Sequence, residues 1–368
     1  MIDVLTPILP SHIDSTMMSC FRSCPRKFYN EFVLGLRPPG ISIDLHAGGC
    51  FATALEVVRK EIHMNGRSLS EALLRANAAF EIQWGDFVIP ESKKTNKTPD
   101  RVWAAVEDYF RIYPPLTDHI QPYMVNGKPT FEFTFAIPLE PACMVLPSDP
   151  VTNAHNFKLG YFPLHPVTGE PFLYVGRFDQ LGEYLGRPIV EDDKTAGTSA
   201  GFGWAEKWDL RSQFIGYTWA CQQMGIDVED VCVRGVGILM TKIDHAEVIK
   251  PYSNHLRDLW LEQLRRDLWR LVSMWNEVYF DYNFGDACSA FSNCMFTQPC
   301  QSPDPEPWLK TFVVRRWNPV AVDPTSDETK PPLPSSSTPP ETTGSNSPSS
   351  TDIPTPASDG ITSINDLI

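Results

Sequence analysis

Two carboxylates and one ammonium stand in an order that could handle a phosphate ester. Gly176-Arg177-Phe178-Asp179 ends in an acid, and thirteen residues after it comes Asp192, within Glu191-Asp192-Asp193-Lys194. Side chains two apart on a strand share a face, so Asp192 and Lys194 are expected to point the same way, and a hairpin between the two segments would bring Asp179 beside them. Phosphodiester hydrolysis needs such a set: hard oxygen ligands for Mg²⁺ or Mn²⁺, and a cation that orients an attacking water and offsets charge on the phosphate. Asp-x-Lys taken singly is more often a surface ion pair. Gln213 and Tyr217 lie four apart on one face of the helix expected next; without the acids they would read as an exposed Gln and a core Tyr.

These residues need strands and a helix to hold them, and the sequence supplies both. The first third reads as helical: a segment over 15–36 broken at Cys24-Pro25, a helix opening near Gly48 and Gly49 with Phe51, Leu55, Val58 and Ile62 on one face, and helices over 69–84 and 99–113. Phe131, Phe133, Phe135 and Ile137 then alternate as in a strand with one buried face. Strands are expected over 172–184 and 188–195, separated by Leu185-Gly186-Arg187, which suits a hairpin. A Gly-rich loop over 196–203, a helix over 204–224, a strand over 231–240 and a long helix over 255–278 follow. The stripe Leu256, Leu259, Trp260, Leu264, Leu268, Leu271 and Trp275 on that last helix reads as core packing. There is no internal repeat.

Composition sets limits on the partners. With 368 residues, 42% of them hydrophobic, the chain can bury a sizeable core. From Ala321 to Ile368 there is no aromatic residue, and Pro, Ser and Thr fill 27 of 48 positions, so this stretch reads as a disordered tail. The tail holds seven acids and one Lys, which leaves about −8 of the −14 net charge on the body. That argues against coating nucleic acid by charge alone, yet a metal-dependent nuclease needs only local basic patches; Arg22, Arg26 and Lys27, Lys93, Lys94 and Lys97, or Arg315 and Arg316 are candidates. No apolar run is long enough to span a membrane and no signal-peptide order opens the chain, so a cytoplasmic protein without membrane contact is expected. Nine Cys in such a chain are better read as free thiols or metal ligands than as disulfides.

The ordered motifs Gly176 to Asp179, Asp192 to Thr195 and Gln213 to Tyr217 resemble the RecB-like exonuclease branch of the PD-(D/E)xK nuclease superfamily, whose relatives include lambda-type exonuclease and the four-cysteine CRISPR-associated exonucleases. The likeness reaches upstream to Cys24-Pro25-Arg26-Lys27-Phe28-Tyr29 and Gly35-Leu36, and covers roughly residues 15–305. It departs at Gly48-Gly49-Cys50-Phe51-Ala52, where Ala52 stands in place of the family's metal-binding His; Glu56 remains on the same helix face, and His46 is too far back to substitute. The resemblance implies a metal held by Asp179 and Asp192 with help from Glu56, a Lys194 that positions or activates water, and Gln213 with Tyr217 along the DNA path.

Cys288, Cys294 and Cys300 recur at intervals of six, with Cys24 far upstream. One early and three late cysteines resemble the four-iron, four-sulfur arrangement of the family's clustered members, although the late spacing differs from their usual Cys-x2-Cys-x5-Cys. A zinc site on the same thiolates and plain reduced thiols are the alternatives, and Cys20 could replace Cys24. Cys50, Cys143, Cys221 and Cys232 sit among apolar residues and read as core.

The expected whole is an α/β restriction-endonuclease-like domain over 1–320, with a small mixed sheet flanked by helices, a helical N-terminal part and the disordered tail over 321–368. Its expected activity is metal-dependent cleavage of DNA, as an exonuclease by resemblance, in repair, recombination or processing. A catalytically inactive DNA-binding or assembly module is the alternative. The tail's last apolar residues, Ile361, Ile364, Leu367 and Ile368, are a candidate docking segment for a protein partner.

Overall fold

The computed structural model describes residues 6–90, 93–140, 161–199, 201, 203–289 and 293–320; the tail and Cys143 lie outside the described residues. Local chemistry sets the helix starts. Asp14 caps α1 (Ser15–Ser23) by accepting from the Met17 N–H at 2.7 Å. Cys24 is extended, as a residue before proline tends to be, and Pro25 opens α2 (Pro25–Phe28), which continues as a π-turn over Tyr29–Val33. The second helix begins five residues before its glycines: Ser42 caps α3 (Ile43–His63). A Ser68/Glu71 capping box starts α4 (Leu69–Trp84), and Pro99 starts α5 (Pro99–Ile112).

The strands are β1 (His12–Ile13), β2 (Leu36–Arg37), β3 (Gln121–Pro122), β4 (Met124–Val125), β5 (Lys128–Pro138), β6 (Leu173–Tyr184), β7 (Arg187–Ala196), β8 (Asp230–Ile238), β9 (Ile243–Pro251) and β10 (Val313–Val314). Eight of them form one mixed sheet, larger than expected. Its order is β4-β5-β6-β7-β8-β9, with β1 parallel and β3 antiparallel to β6. The β6–β7 hairpin turns through Leu185 and Gly186, both with positive φ. Strands β7 and β8 run parallel, so a crossover must join them: a 3₁₀ turn (Ala205–Trp208) followed by α6 (Ser212–Gln223), where a single helix had been expected. Strand β9 was not foreseen.

Two layers cover the sheet. Helices α1, α6 and the long α7 (Asn254–Asn276) bury one face through Phe21, Tyr174, Phe178, Tyr217, Trp260, Leu264 and Leu268; Leu259, expected in this stripe, is exposed. Helices α3, α4 and α5 bury the other face through Phe51, Leu55, Val58, Phe80 and Val106 against Val236 and Ile238 of β8. A separate clasp ties the two ends of the body together. Strand β10 pairs antiparallel with β2, Arg315 donates to the Pro38 and Gly40 carbonyls, Arg316 to those of Val33 and Thr6, and Trp317 Nε1 to Asp14 at 2.7 Å.

Candidate active site

Strand β7 carries charge on both faces. Val190, Asp192 and Lys194 look toward α6, whereas Glu191 and Asp193 look toward α3 and α5. The expected sharing of a face by Asp192 and Lys194 is observed, and the Lys194 ammonium makes an ion contact with Asp192 Oδ1.

Asp179 joins them because β5 and β6 both swap faces at one point. Phe133 and Phe178 stack at 5.2 Å in the α6 layer. Two residues before Phe133, Phe131 packs on His63 of α3, and two residues after Phe178, Gln180 lines the α3 side with Arg59 and Glu191. Regular strands keep such residues on one side. Glu132, between the two Phe residues, has φ +49°, a left-handed conformation that is strained outside glycine. Phe131 and Phe133 therefore do not share one buried face, as their alternation had suggested. The β5–β6 register skips Glu132 and Asp179, which lie between the pairs Phe131↔Gln180 and Phe133↔Phe178. Beyond Gln180↔Glu191 the β6–β7 ladder stops, and the Asp179 carboxylate continues it by accepting the Asp193 N–H at 2.6 Å.

From α6, Gln213 Nε2 donates to Asp192 Oδ2 at 3.4 Å and to the Tyr217 hydroxyl at 2.8 Å; that hydroxyl donates to the Arg177 carbonyl. Tyr217 is buried, so it orients Gln213 and ties α6 to β6. Glu56 on α3 holds Lys60 by an ion pair and is near enough to raise the Glu132 acid. His46 is spent elsewhere, stacked on Phe87 and bonded to the Trp84 carbonyl.

Electrostatics describe the strain on the site. Burial pushes Asp179 well above the carboxylate range, and the neighbouring Asp192, Glu132 and Asp193 charges push it further. Burial likewise raises Asp192, with Lys194 opposing, and Glu132 is pushed up to about 7 by burial despite its 2.9 Å ion pair with Arg177. Burial would lower Lys194, but Asp192 and Asp179 overcome it and hold the ammonium charged. Crowded acids with one cation are the donor set of a hard metal ion. As the side chains lie, no three His, Cys, Asp or Glu side chains among the described residues close on one ion; Asp179 and Asp192 are fixed by backbone and Gln213, whereas Glu56 and Glu132 end longer side chains that could swing.

Sequence reasoning missed Glu132 and also the polar layer behind β7. There Arg59 donates to Glu191, to Asp193 at 2.8 Å and to the Tyr109 hydroxyl at 2.9 Å. Arg234 donates to Glu191 at 3.1 Å, to Asp118 at 2.7 and 2.8 Å, and to Glu247 at 2.8 Å. Three consecutive acids on a central strand were the available signal, since buried acids demand cations.

The four predicted cysteines meet. Cys24, Cys288, Cys294 and Cys300 line one cavity of about 140 Å³, while Cys20 turns its thiol to Glu31 at 3.8 Å. Burial pushes the Cys300 thiol up to about 11; Arg26 opposes, and the other three cysteines add to the rise. Tetrahedral zinc at ~2.3 Å Zn–S needs sulfurs about 3.8 Å apart. No three His, Cys, Asp or Glu side chains among the described residues close on one ion here either, and the four thiols line the cavity without doing so. Cys50, Cys221 and Cys232 are buried, as read. Of the basic candidates, Lys97 is buried against Asp44, Arg22 pairs with Asp267, and Arg315 and Arg316 bind backbone carbonyls.

No family model matches the sequence, and no curated protein matches it. Among solved structures the chain is similar to SSO0001, with 13% identity, 80% of this chain and 88% of that chain covered, and a TM-score of 0.30. It is also similar to a candidate exonuclease from Eubacterium rectale, with 11% identity, 76% and 88% coverage, and a TM-score of 0.41.

Proposed function

We propose that the chain is a divalent-metal-dependent deoxyribonuclease with its active site where β6 and β7 part, acting as an exonuclease. The observation that carries this reading is the convergence of Asp179, Asp192 and Lys194, with Gln213 braced on Asp192, at one end of a buried hairpin. Asp179 and Asp192 would hold Mg²⁺ or Mn²⁺, with Glu56 or Glu132 swinging in. Such an ion supplies a polarised phosphate and an activated water. Lys194, kept charged against Asp192, places positive charge beside the scissile phosphate, and Gln213 fixes the Asp192 carboxylate in one orientation. In the same reading Cys24, Cys288, Cys294 and Cys300 ligate a four-iron, four-sulfur cluster that joins the α1–α2 corner to the segment after α7.

The ion pair of Lys60 with Glu56 favours a second reading, a DNA-binding module that no longer cuts. Digestion of linear and circular DNA with and without Mn²⁺ separates the two. Cleavage of linear DNA that Asp192→Ala and Lys194→Ala both abolish is the expected result. In calorimetry Asp192→Ala should also weaken Mn²⁺ binding, whereas Lys194→Ala should not. Wild-type cutting by either variant overturns the assignment, and DNA binding without cutting selects the second reading. Iron analysis of protein purified without oxygen tests the cluster: iron lost in Cys294→Ser supports it, and one zinc with no iron refutes it.

A further inference from the structure

Beyond α7 the chain runs back along the α1–α2 corner and carries a half-buried Tyr282 and an exposed Phe284. Phe284 is 94% exposed, and its ring stacks on Tyr282 at 5.5 Å with only 9° between the planes. Behind Tyr282 lies the Arg26 guanidinium, 5.3 Å from that ring and 5.2 Å from the Tyr29 ring. Tyr29 in turn meets Phe280 at 4.8 Å. The result is a column of planar groups, anchored in the core at Phe280, with a cation between two of its rings and an open face at its outer end. Tyr282, Phe284 and Lys27 stand together at the rim of the cavity that the four cysteines line.

The column is physically joined to the active-site helix. Arg22 Nη1 donates to Ser212 Oγ at 3.3 Å, next to Gln213, and the carbonyl of the adjacent Ser23 accepts from Asn283 Nδ2 at 2.6 Å, between the two stacked aromatics.

We infer that Tyr282 and Phe284, flanked by Arg26 and Lys27, form a stacking platform for an unpaired nucleobase of a single DNA strand leading to or from the site on α6. A duplex hides its base faces in its own stack, so an open aromatic face beside cations suits a single strand. Arg26 beside Tyr282 and Lys27 in the adjoining cavity supply positive charge that complements phosphate, while Asp281 of the same segment is paired with Arg270 at 3.0 Å. The inference rests on the nuclease reading and names the strand form that reading leaves open.

The test uses the full chain without divalent metal and measures fluorescence anisotropy of labelled single-stranded and duplex oligonucleotides. Phe284→Ala should weaken single-strand binding about ten-fold, within the range for one base stacked on an aromatic ring, and leave duplex binding unchanged. Phe284→Leu, which keeps apolar area without a π face, should behave like Phe284→Ala. Phe284→Trp should bind as wild type and lose emission when single-stranded DNA is added. Unchanged single-strand affinity in Phe284→Ala, an equal loss for duplex, or full retention in Phe284→Leu overturns the platform. If the wild-type chain still cuts DNA in that case, only the platform falls; if it neither binds nor cuts, the nuclease reading falls with it.

Discussion

Replacing Arg59 by Met tests whether the polar layer behind β7 holds the catalytic strand in place. Arg59 is nearly inaccessible, with 6% of its side chain exposed, and serves Glu191, Asp193 and Tyr109 at once. Methionine fills much of the volume but leaves two buried carboxylates short of a partner. Arg234 still reaches Glu191 Oε1 at 3.1 Å, yet Glu191 Oε2 is already without a hydrogen bond. Removing one member of a buried pair costs about 3–5 kcal/mol. At about 2 °C per kcal/mol for a domain of this size, the melting temperature should fall by roughly 6–10 °C. The pH dependence follows from Glu191, which burial raises while Arg234 and Arg59 oppose. Without Arg59 its acid rises further. A raised acid favours folding below its unfolded pKa and loses that advantage as pH rises through the folded value, so the deficit of Arg59→Met should be larger at about pH 8 than at about pH 5. Adding Glu191→Gln should recover part of it. Calorimetric melting of the three proteins across pH measures all of this. A loss within about 1 °C, or a deficit that grows on acidification, would show that the layer does not carry the strand.

Gly216→Ala should destabilise by roughly 1–3 kcal/mol or more, because a Cβ there would lie 2.0 Å from the hydroxyl of the buried Tyr174; chemical denaturation reads the loss, and the lifting of α6 should cut activity with it. Glu132→Gln should flatten the pH dependence of the chelated protein. The Glu132 acid, pushed from 4.5 to about 7 in the fold, supports folding below about pH 4.5 and loses that support as pH rises through 7. The variant should therefore gain on wild type above neutrality, as urea midpoints against pH would record.

The pair Asp192 and Lys194 was legible because strand periodicity is a property of the chain itself, and the starts of α4 and α5 were legible because Ser68, Glu71 and Pro99 act over a few residues, whereas α3 and α6 begin away from where the sequence suggested. Asp179 needed a correct hairpin, which Leu185-Gly186-Arg187 signalled. Glu132 was hidden for a physical reason: it sits in a clean Phe alternation, and nothing local announces a left-handed residue that sends its two neighbours to opposite faces. Arg59 and Arg234 were equally hidden, since their partners are 132 and 43 residues away. The cysteines stood out by spacing, yet only the packing of the segment after α7 on the α1–α2 corner brings them to one cavity.

The β2–β10 clasp bears on the order in which the molecule can be made. Arg315 reaches across 277 residues to Pro38, and Trp317 across 303 to Asp14, the cap of the first helix. Contacts so distant in sequence form late, and synthesis proceeds from the N-terminus. On the ribosome the segment up to Gly40 must therefore wait, with its clasp unmade, until nearly the whole body has been translated. The apolar side chains of α1 likewise meet their packing partners on α6 and α7 only once residues 212–276 have been made.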